Sequence, residues 1–135
     1  MSGERYPVLW IGHVAVVTLP VEIDVTNADA IRQELLAVLN QSAVLLVADM
    51  SKTGFCDSSG VSALVRVFRH AATSATALRL VVTTPAVLRV LSITGVDRLV
   101  DVYPSVAASL AGVSSQADHA WPDGATAKAD TDGGA

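Results

Sequence analysis

Asp57-Ser58-Ser59-Gly60 offers more chemistry than any other stretch of this chain. It stands between a β-type apolar run, Val44-Leu45-Leu46-Val47-Ala48, and a helix-type run that starts at Val61. A hydroxyl on such a strand-to-helix turn lies over a helix N-terminus, where unpaired N–H groups and the helix dipole favour negative charge. A serine so placed can act as a nucleophile or accept a phosphoryl group, and the turn itself can cradle a phosphate. It can also do no chemistry and simply cap the helix.

Each catalytic use needs partners that are missing. A serine-hydrolase elbow wants G-x-S-x-G, then a later acid and a histidine. Here Cys56-Asp57 precedes the serine, and the next histidine, His70, sits on the polar side of a helical pattern. His13 lies far upstream and His119 far downstream. Nucleotide folds need G-x-G-x-x-G or a P-loop with its lysine. Neither string occurs, and Gly54 and Gly60 are turn glycines. Asp57 and Thr83 imitate the acid and hydroxyl of a phosphoacceptor-aspartate receiver domain. That chemistry also requires gathered acids for Mg²⁺ and a lysine near the last strand. The only lysines, Lys52 and Lys128, are elsewhere. The chain is therefore expected to be no enzyme, with no cofactor and no metal. Its single cysteine, Cys56, leaves no internal disulfide and no cysteine-based zinc site; it reads as a small half-buried turn residue.

The elements that must hold this turn follow from periodicity. Val8–Ile11 and Val14–Leu19 are β-type runs joined at Gly12-His13. A helix from Thr26 or Asn27 presents Ala28, Ile31, Leu35, Val38 and Leu39 at spacings of three and four. Val44–Ala48 is the most apolar strand and is expected at the centre. A second helix shows Val61, Leu64, Val65, Phe68 and Ala72 on one side and Ser62, Arg66, Arg69 and His70 on the other. Leu78–Val82 forms a strand. Thr84-Pro85 opens a third helix with Val87, Leu88 and Leu91 inward, and Gly95 ends it. Leu99–Val102 and Ser105–Leu110 complete a ββαβαβαβα order: one α/β domain over residues 1–112, with a mixed, largely parallel sheet and helices packed on it. From residue 113 the apolar pattern stops, so 113–135 is expected to be a mobile tail, with Trp121 its one possible anchor.

Composition narrows the partners. Of 135 residues 51% are apolar and 16% charged, enough for a core built from aliphatic side chains. A net charge of −4 and scattered arginines leave no basic footprint for nucleic acid. The apolar stretch Val8–Val21 is broken by Gly12, His13 and Pro20, too short to span a bilayer, so no membrane association and a cytoplasmic location are expected.

Val47-Ala48-Asp49-Met50-Ser51 followed by Phe55-Cys56-Asp57-Ser58-Ser59-Gly60 resembles the signature of STAS domains, in particular the bacterial anti-sigma factor antagonists. The resemblance runs from about Val14 to Leu110. It includes Leu19-Pro20-Val21-Glu22-Ile23-Asp24, the strand Leu78–Val82, Pro85, and Leu91-Ser92-Ile93-Thr94-Gly95-Val96. It implies a protein that binds an anti-sigma factor with serine kinase activity, thereby freeing a sigma factor for transcription, as in stress responses. The kinase, using its own ATP, would phosphorylate Ser58 and end the interaction; a phosphatase would restore it. The partner surface implied comprises Asp24, Asp57, Ser58, Ser59, Gly60 and Val61. The family's usual glycine before the acidic segment is Val21 here, so the loop carrying Asp24 is expected to differ in shape. Taken as plain residues, Ser58 and Ser59 could exchange the cap and acceptor roles. Asp57 could equally be a cap, Asp24 a solvated loop acid, and Asp49 a local acceptor for backbone N–H groups. A phosphorylation-independent scaffold, or a module sensing a nucleotide or lipid, is the alternative function.

Overall fold

The computed structural model describes residues 6–112. The expected tail from 113, with His119 and Trp121, lies outside the described residues. Strands β1 (Val8–Ile11) and β2 (Val14–Thr18) form an antiparallel hairpin. Gly12 sits at φ +61° in its two-residue turn, the backbone that glycine supplies at the first central position of a type II′ connection. Then follow β3 (Glu22–Ile23), α1 (Ala28–Leu39), β4 (Leu45–Met50), β5 (Phe55–Cys56), α2 (Ser58–Thr73) and β6 (Ala77–Val82). Helix α3 (Pro85–Thr94), a 3₁₀ turn at Val96–Arg98, β7 (Asp101–Tyr103) and α4 (Val106–Leu110) complete the described chain.

The main sheet has the order β1-β2-β4-β6-β7, with β1 antiparallel and the other pairs parallel. Central β4 is apolar from Leu45 to Ala48, because both its faces are covered there. Ala15, Val17, Leu46, Ala48, Leu80 and Val82 point to one face, where α1, α2 and α3 bury Leu35, Leu64, Val67 and Leu91. Val14, Val16, Leu45, Val47 and Val81 point to the other, against Val106 and Leu110 of α4. Strand alternation thus supplies two cores from one set of strands.

Arg79 is the polar exception, 4% exposed within β6. Its guanidinium lies 5.5 Å from the Tyr103 ring centre, and Nη1 donates to the Ser109 carbonyl at 2.5 Å. A charge-assisted bond of this kind fastens short α4 to the sheet.

Four local expectations are corrected. β3 and β5, which pair in parallel as a separate two-stranded sheet, lie where a loop and a turn were expected. Two-residue strands are too short to show an alternation. The buried side of α2 takes in Gly60, Val61, Ala63, Leu64, Val67 and Ala71, with Val65 and Phe68 packed half-buried against the core; of the expected side only Ala72 is exposed. Small residues face the sheet there and let the helix approach closely. Leu88 is exposed, because Val87 and Leu91, with half-buried Val90, form the inward side of α3. The last strand begins at Asp101 rather than Leu99, since Gly95, left-handed at φ +83°, ends α3 and a 3₁₀ turn uses the next residues. Leu99 is left exposed while Val96 and Val100 are buried.

Past the C-terminus of α2, Ala75 occupies left-handed backbone at φ +56°. A side chain there costs about 1 kcal/mol relative to glycine. Ala75→Gly is expected to stabilise the domain by roughly that amount, read as a higher urea midpoint with an unchanged m-value.

Candidate functional site

The serine turn is built by the two-stranded sheet. Asp57 follows β5, and its N–H donates to the Ile23 carbonyl at 3.1 Å. This bond lays the β5–α2 junction beside the β3–α1 loop that begins at Asp24. Asp57 then caps α2: its Oδ1 accepts from the N–H of Ser59 at 2.9 Å and of Gly60 at 3.3 Å. With an acid in the cap position, neither serine has to fill it. Replacing it by Asp57→Ala is expected to cost about 1 kcal/mol of stability in chemical denaturation, whereas Ser58→Ala falls within about 0.5 kcal/mol of the native value.

Ser58 is the first residue of α2, exposed, and its hydroxyl makes no hydrogen bond among the described residues. Ser59 is half-buried. Gly60 and Val61 are buried beneath the turn. A Cβ on Gly60 would lie 2.6 Å from Cys56 Sγ and 2.7 Å from Ile23 Cγ2. The helix can therefore sit this close to β3 and β5 only with glycine at that point.

Asp24 is half-exposed in a turn of its own. Its Oδ1 accepts from the Thr26 hydroxyl at 2.5 Å and the Thr26 N–H at 2.9 Å. These bonds, the hydroxyl first, hold its carboxyl below the ordinary carboxylate range. Asn27 stands at the start of α1, but its side chain accepts from Asp24 N–H and donates to the Glu22 carbonyl instead of capping the helix. Val21 keeps negative φ, as a non-glycine residue there requires. Farther from the turn, Asp49 accepts from Ser51 N–H at 3.0 Å, a local backbone role. The Thr83 and Thr84 hydroxyls donate to Ser51 and Thr53 carbonyls, so Thr84 does not cap α3 with its side chain.

Cys56 is buried, 3% exposed, more deeply than the sequence suggests. Burial, then the adjacent Asp57 charge, pushes its thiol up to about 11. At neutral pH the thiolate is scarce, and reactivity follows the thiolate. Native protein is expected to resist iodoacetamide at pH 7.5 for hours while urea-unfolded protein is alkylated, as followed by intact mass.

Around the turn, exposed apolar residues form a collar that the sequence analysis did not single out. Val21, Val25 and Phe55 are 60%, 75% and 51% exposed. Glu22 and Phe55 are register partners, and Gly54 N–H donates to the Val21 carbonyl at 2.8 Å, which brings the Val21 and Phe55 segments side by side. The available signal was an apolar residue in each otherwise polar loop, which periodicity does not register. A cleft of about 320 Å³ opens between α1 and α2, with Val25, Asp29 and Arg32 on one wall and Ser59, Ser62 and Arg66 on the other. Arg32 and Asp29 pair with each other across one turn of α1. No cluster of three potential metal ligands occurs among the described residues, and none of their helices is long and apolar enough to cross a membrane.

Comparison with curated proteins returns no match. Among solved structures, an anti-sigma factor antagonist from Mycobacterium paratuberculosis is 29% identical, with a TM-score of 0.69 over 76% of this chain and 86% of that one. A candidate anti-sigma factor antagonist of Thermotoga maritima is 22% identical, with a TM-score of 0.71 over 78% of this chain and 91% of that one. SpoIIAA, an anti-sigma factor antagonist of Bacillus solved both unphosphorylated and phosphorylated, is 20% identical in the first form, with a TM-score of 0.66 over 78% of this chain and 94% of that one. The two likenesses below 25% identity bear on the fold alone, and it is the same fold. A family model matches residues 8–109, most of the chain, and on that match, with the sheet order and helix placement above, this protein belongs to the STAS domain family.

Proposed function

We propose that this protein is an anti-sigma factor antagonist that binds an anti-sigma factor with serine kinase activity and is released by phosphorylation of Ser58. One observation carries the choice of residue: Asp57 occupies the cap, leaving the Ser58 hydroxyl exposed and uncommitted at the first position of α2. The collar of Val21, Val25 and Phe55 supplies apolar surface for docking, rimmed by Glu22, Asp24 and Asp57. Such a surface around the modifiable residue couples the phosphate to binding.

The chemistry belongs to the partner, which supplies ATP; this chain supplies only the acceptor oxygen and its presentation. A phosphate adds about −1.5 to −2 charges at neutral pH. Within the domain it stands at a helix N-terminus, which tolerates negative charge, so the fold is retained. Beneath a closed interface it would be desolvated beside two carboxylates, and the complex opens. A phosphatase resets the switch. A cytoplasmic, stress-responsive setting fits this cycle.

Capture of partners from the parent cell's lysate with and without ATP, followed by phosphate mapping, tests the proposal. The expected result is an anti-sigma factor bound without ATP, and lost with ATP as phosphate appears on Ser58. A kinase that binds the domain and leaves Ser58 unmodified in ATP refutes it. The cleft beside Ser59, with Arg32 and Arg66 on its walls, supports the second reading, a nucleotide-sensing module. That reading predicts a rise in melting temperature with an added nucleotide, unaffected by Ser58→Ala.

A further inference from the structure

We propose that two copies of this chain associate edge to edge through β1, continuing the main sheet across a two-fold axis at Leu9. Among the described residues, β1 pairs on one side only, with β2, and ends the sheet order. Open edges of this kind are usually blunted by charge, proline or a bulge. β1 is Val8-Leu9-Trp10-Ile11, without any of them, and Leu9, Trp10 and Ile11 are 59%, 36% and 49% exposed. The other edge strand, β7, carries Asp101.

Hydrogen-bond alternation selects the register. In an antiparallel hairpin, facing pairs alternate between bonded and non-bonded. Ile11 and Val14 flank the two-residue turn, and Thr18 N–H donates to the Pro7 carbonyl at 2.9 Å. Pro7, Leu9 and Ile11 therefore turn their backbone groups to β2, while Val8 and Trp10 turn theirs to the open edge. A two-fold axis perpendicular to the sheet keeps like faces together, so it passes through a residue, Leu9 or Trp10. Centred on Trp10, the pairing sets Val8 against Gly12 in the turn. Centred on Leu9, it sets Val8 of each protomer against Trp10 of its partner, and every outward N–H and C=O of the strand is paired.

The side chains agree with that register. Leu9 faces Val16 across the hairpin, and Val16 belongs to the face covered by α4, so the two Leu9 side chains meet on that face. They form a non-bonded pair, the closer-packed kind. No charged side chain of β1 opposes its own copy. The strand is short, so the expected contact is a weak, concentration-dependent dimer rather than an obligate one. The axis sets the parallel strands of the two sheets in opposite directions. The two Ser58 turns then lie at opposite ends of the assembly, and both stay open. This inference does not depend on Ser58 being phosphorylated.

Sedimentation equilibrium of the full chain from about 1 μM to about 1 mM tests it, a range that spans weak to moderate affinity. The expected mass rises towards twice the monomer value, and Leu9→Lys, which sets two cations face to face, returns it to the monomer with unchanged circular dichroism. Register is tested by cysteine cross-linking under mild oxidation. Leu9→Cys places two Cα atoms about 4.5 Å apart, within disulfide range, whereas Ile11→Cys faces Pro7 of the partner subunit. Cys56 is buried and contributes no background. Cross-linking at least tenfold faster for Leu9→Cys than for Ile11→Cys is expected. Monomeric mass at every concentration, equal rates for the two cysteines, or association undiminished by Leu9→Lys overturns the proposal. A monomer in which Leu9→Cys resists modification also overturns it, and would mean that another segment of the chain covers this edge.

Discussion

Ser58→Glu is expected to weaken binding of the anti-sigma partner by about a hundredfold or more, while Ser58→Ala binds as the native chain does and is no longer released by ATP. The magnitude follows from burying a charge without a partner beside Asp57 and Asp24, a penalty of several kcal/mol, of which about 2.7 kcal/mol corresponds to a hundredfold. The alanine variant is clean because the native hydroxyl holds nothing in place: the cap is Asp57. Neither substitution should alter the fold, so melting temperatures should agree closely among the three proteins. Isothermal titration with the purified partner reads the affinities, and a chase with ATP reads release. Ser59→Ala is the paired control, expected to keep both binding and ATP-driven release. Should phosphate and loss of release follow Ser59 instead, the assignment to Ser58 is wrong while the switch itself survives.

Gly60→Ala is expected to destabilise the domain by about 1–3 kcal/mol, the usual cost of overpacking a filled site. The added methyl would stand 2.6 Å from Cys56 Sγ and 2.7 Å from Ile23 Cγ2. Both neighbours are short, buried side chains with no free end to swing away, so the start of α2 must lift from the two-stranded sheet. For a domain near 100 residues this lowers the melting temperature by roughly 4–8 °C per kcal/mol. Gly54→Ala is the comparison: a Cβ there meets nothing within 4 Å, and its effect should stay within about 0.5 kcal/mol. Because the lifted segment carries Ser58, Gly60→Ala should also slow phosphorylation by the proposed partner kinase under conditions where the protein remains folded. Equal stability of the two alanine variants would show that the close approach at Gly60 is not constraining.

Most of the main sheet and all four helices are legible in the sequence, because each has enough length to reveal a period. The apolar run Val44–Ala48 announces a strand covered on both faces, found at Leu45–Met50, and Gly95 and Ser105 mark helix boundaries that the structure retains. Misplacements fall where the signal is short or made of small residues. Ala63 and Ala71 weigh little in an apolar pattern, yet they belong to the buried side of α2, while Ala72, which the pattern places there, is exposed. Thr84 and Asn27 have the right chemistry for caps, but longer-range acceptors and donors recruit their side chains.

At the site, sequence by itself determined which residues are available: an acid, two serines and a glycine on a strand-to-helix turn. Local covalent order and residue type suffice for that. Only the tertiary structure decided how those residues divide the work. The pairing of β3 with β5, set by residues some thirty positions apart, brings Ile23 beneath Gly60 and ties Asp57 to the Ile23 carbonyl. That contact aims the Asp57 carboxylate at the open helix end, buries Val61, and leaves the Ser58 hydroxyl facing solvent. Helix periodicity cannot show which residue fills the cap; a bond across the fold holds Asp57 there, so that neither serine is needed for it.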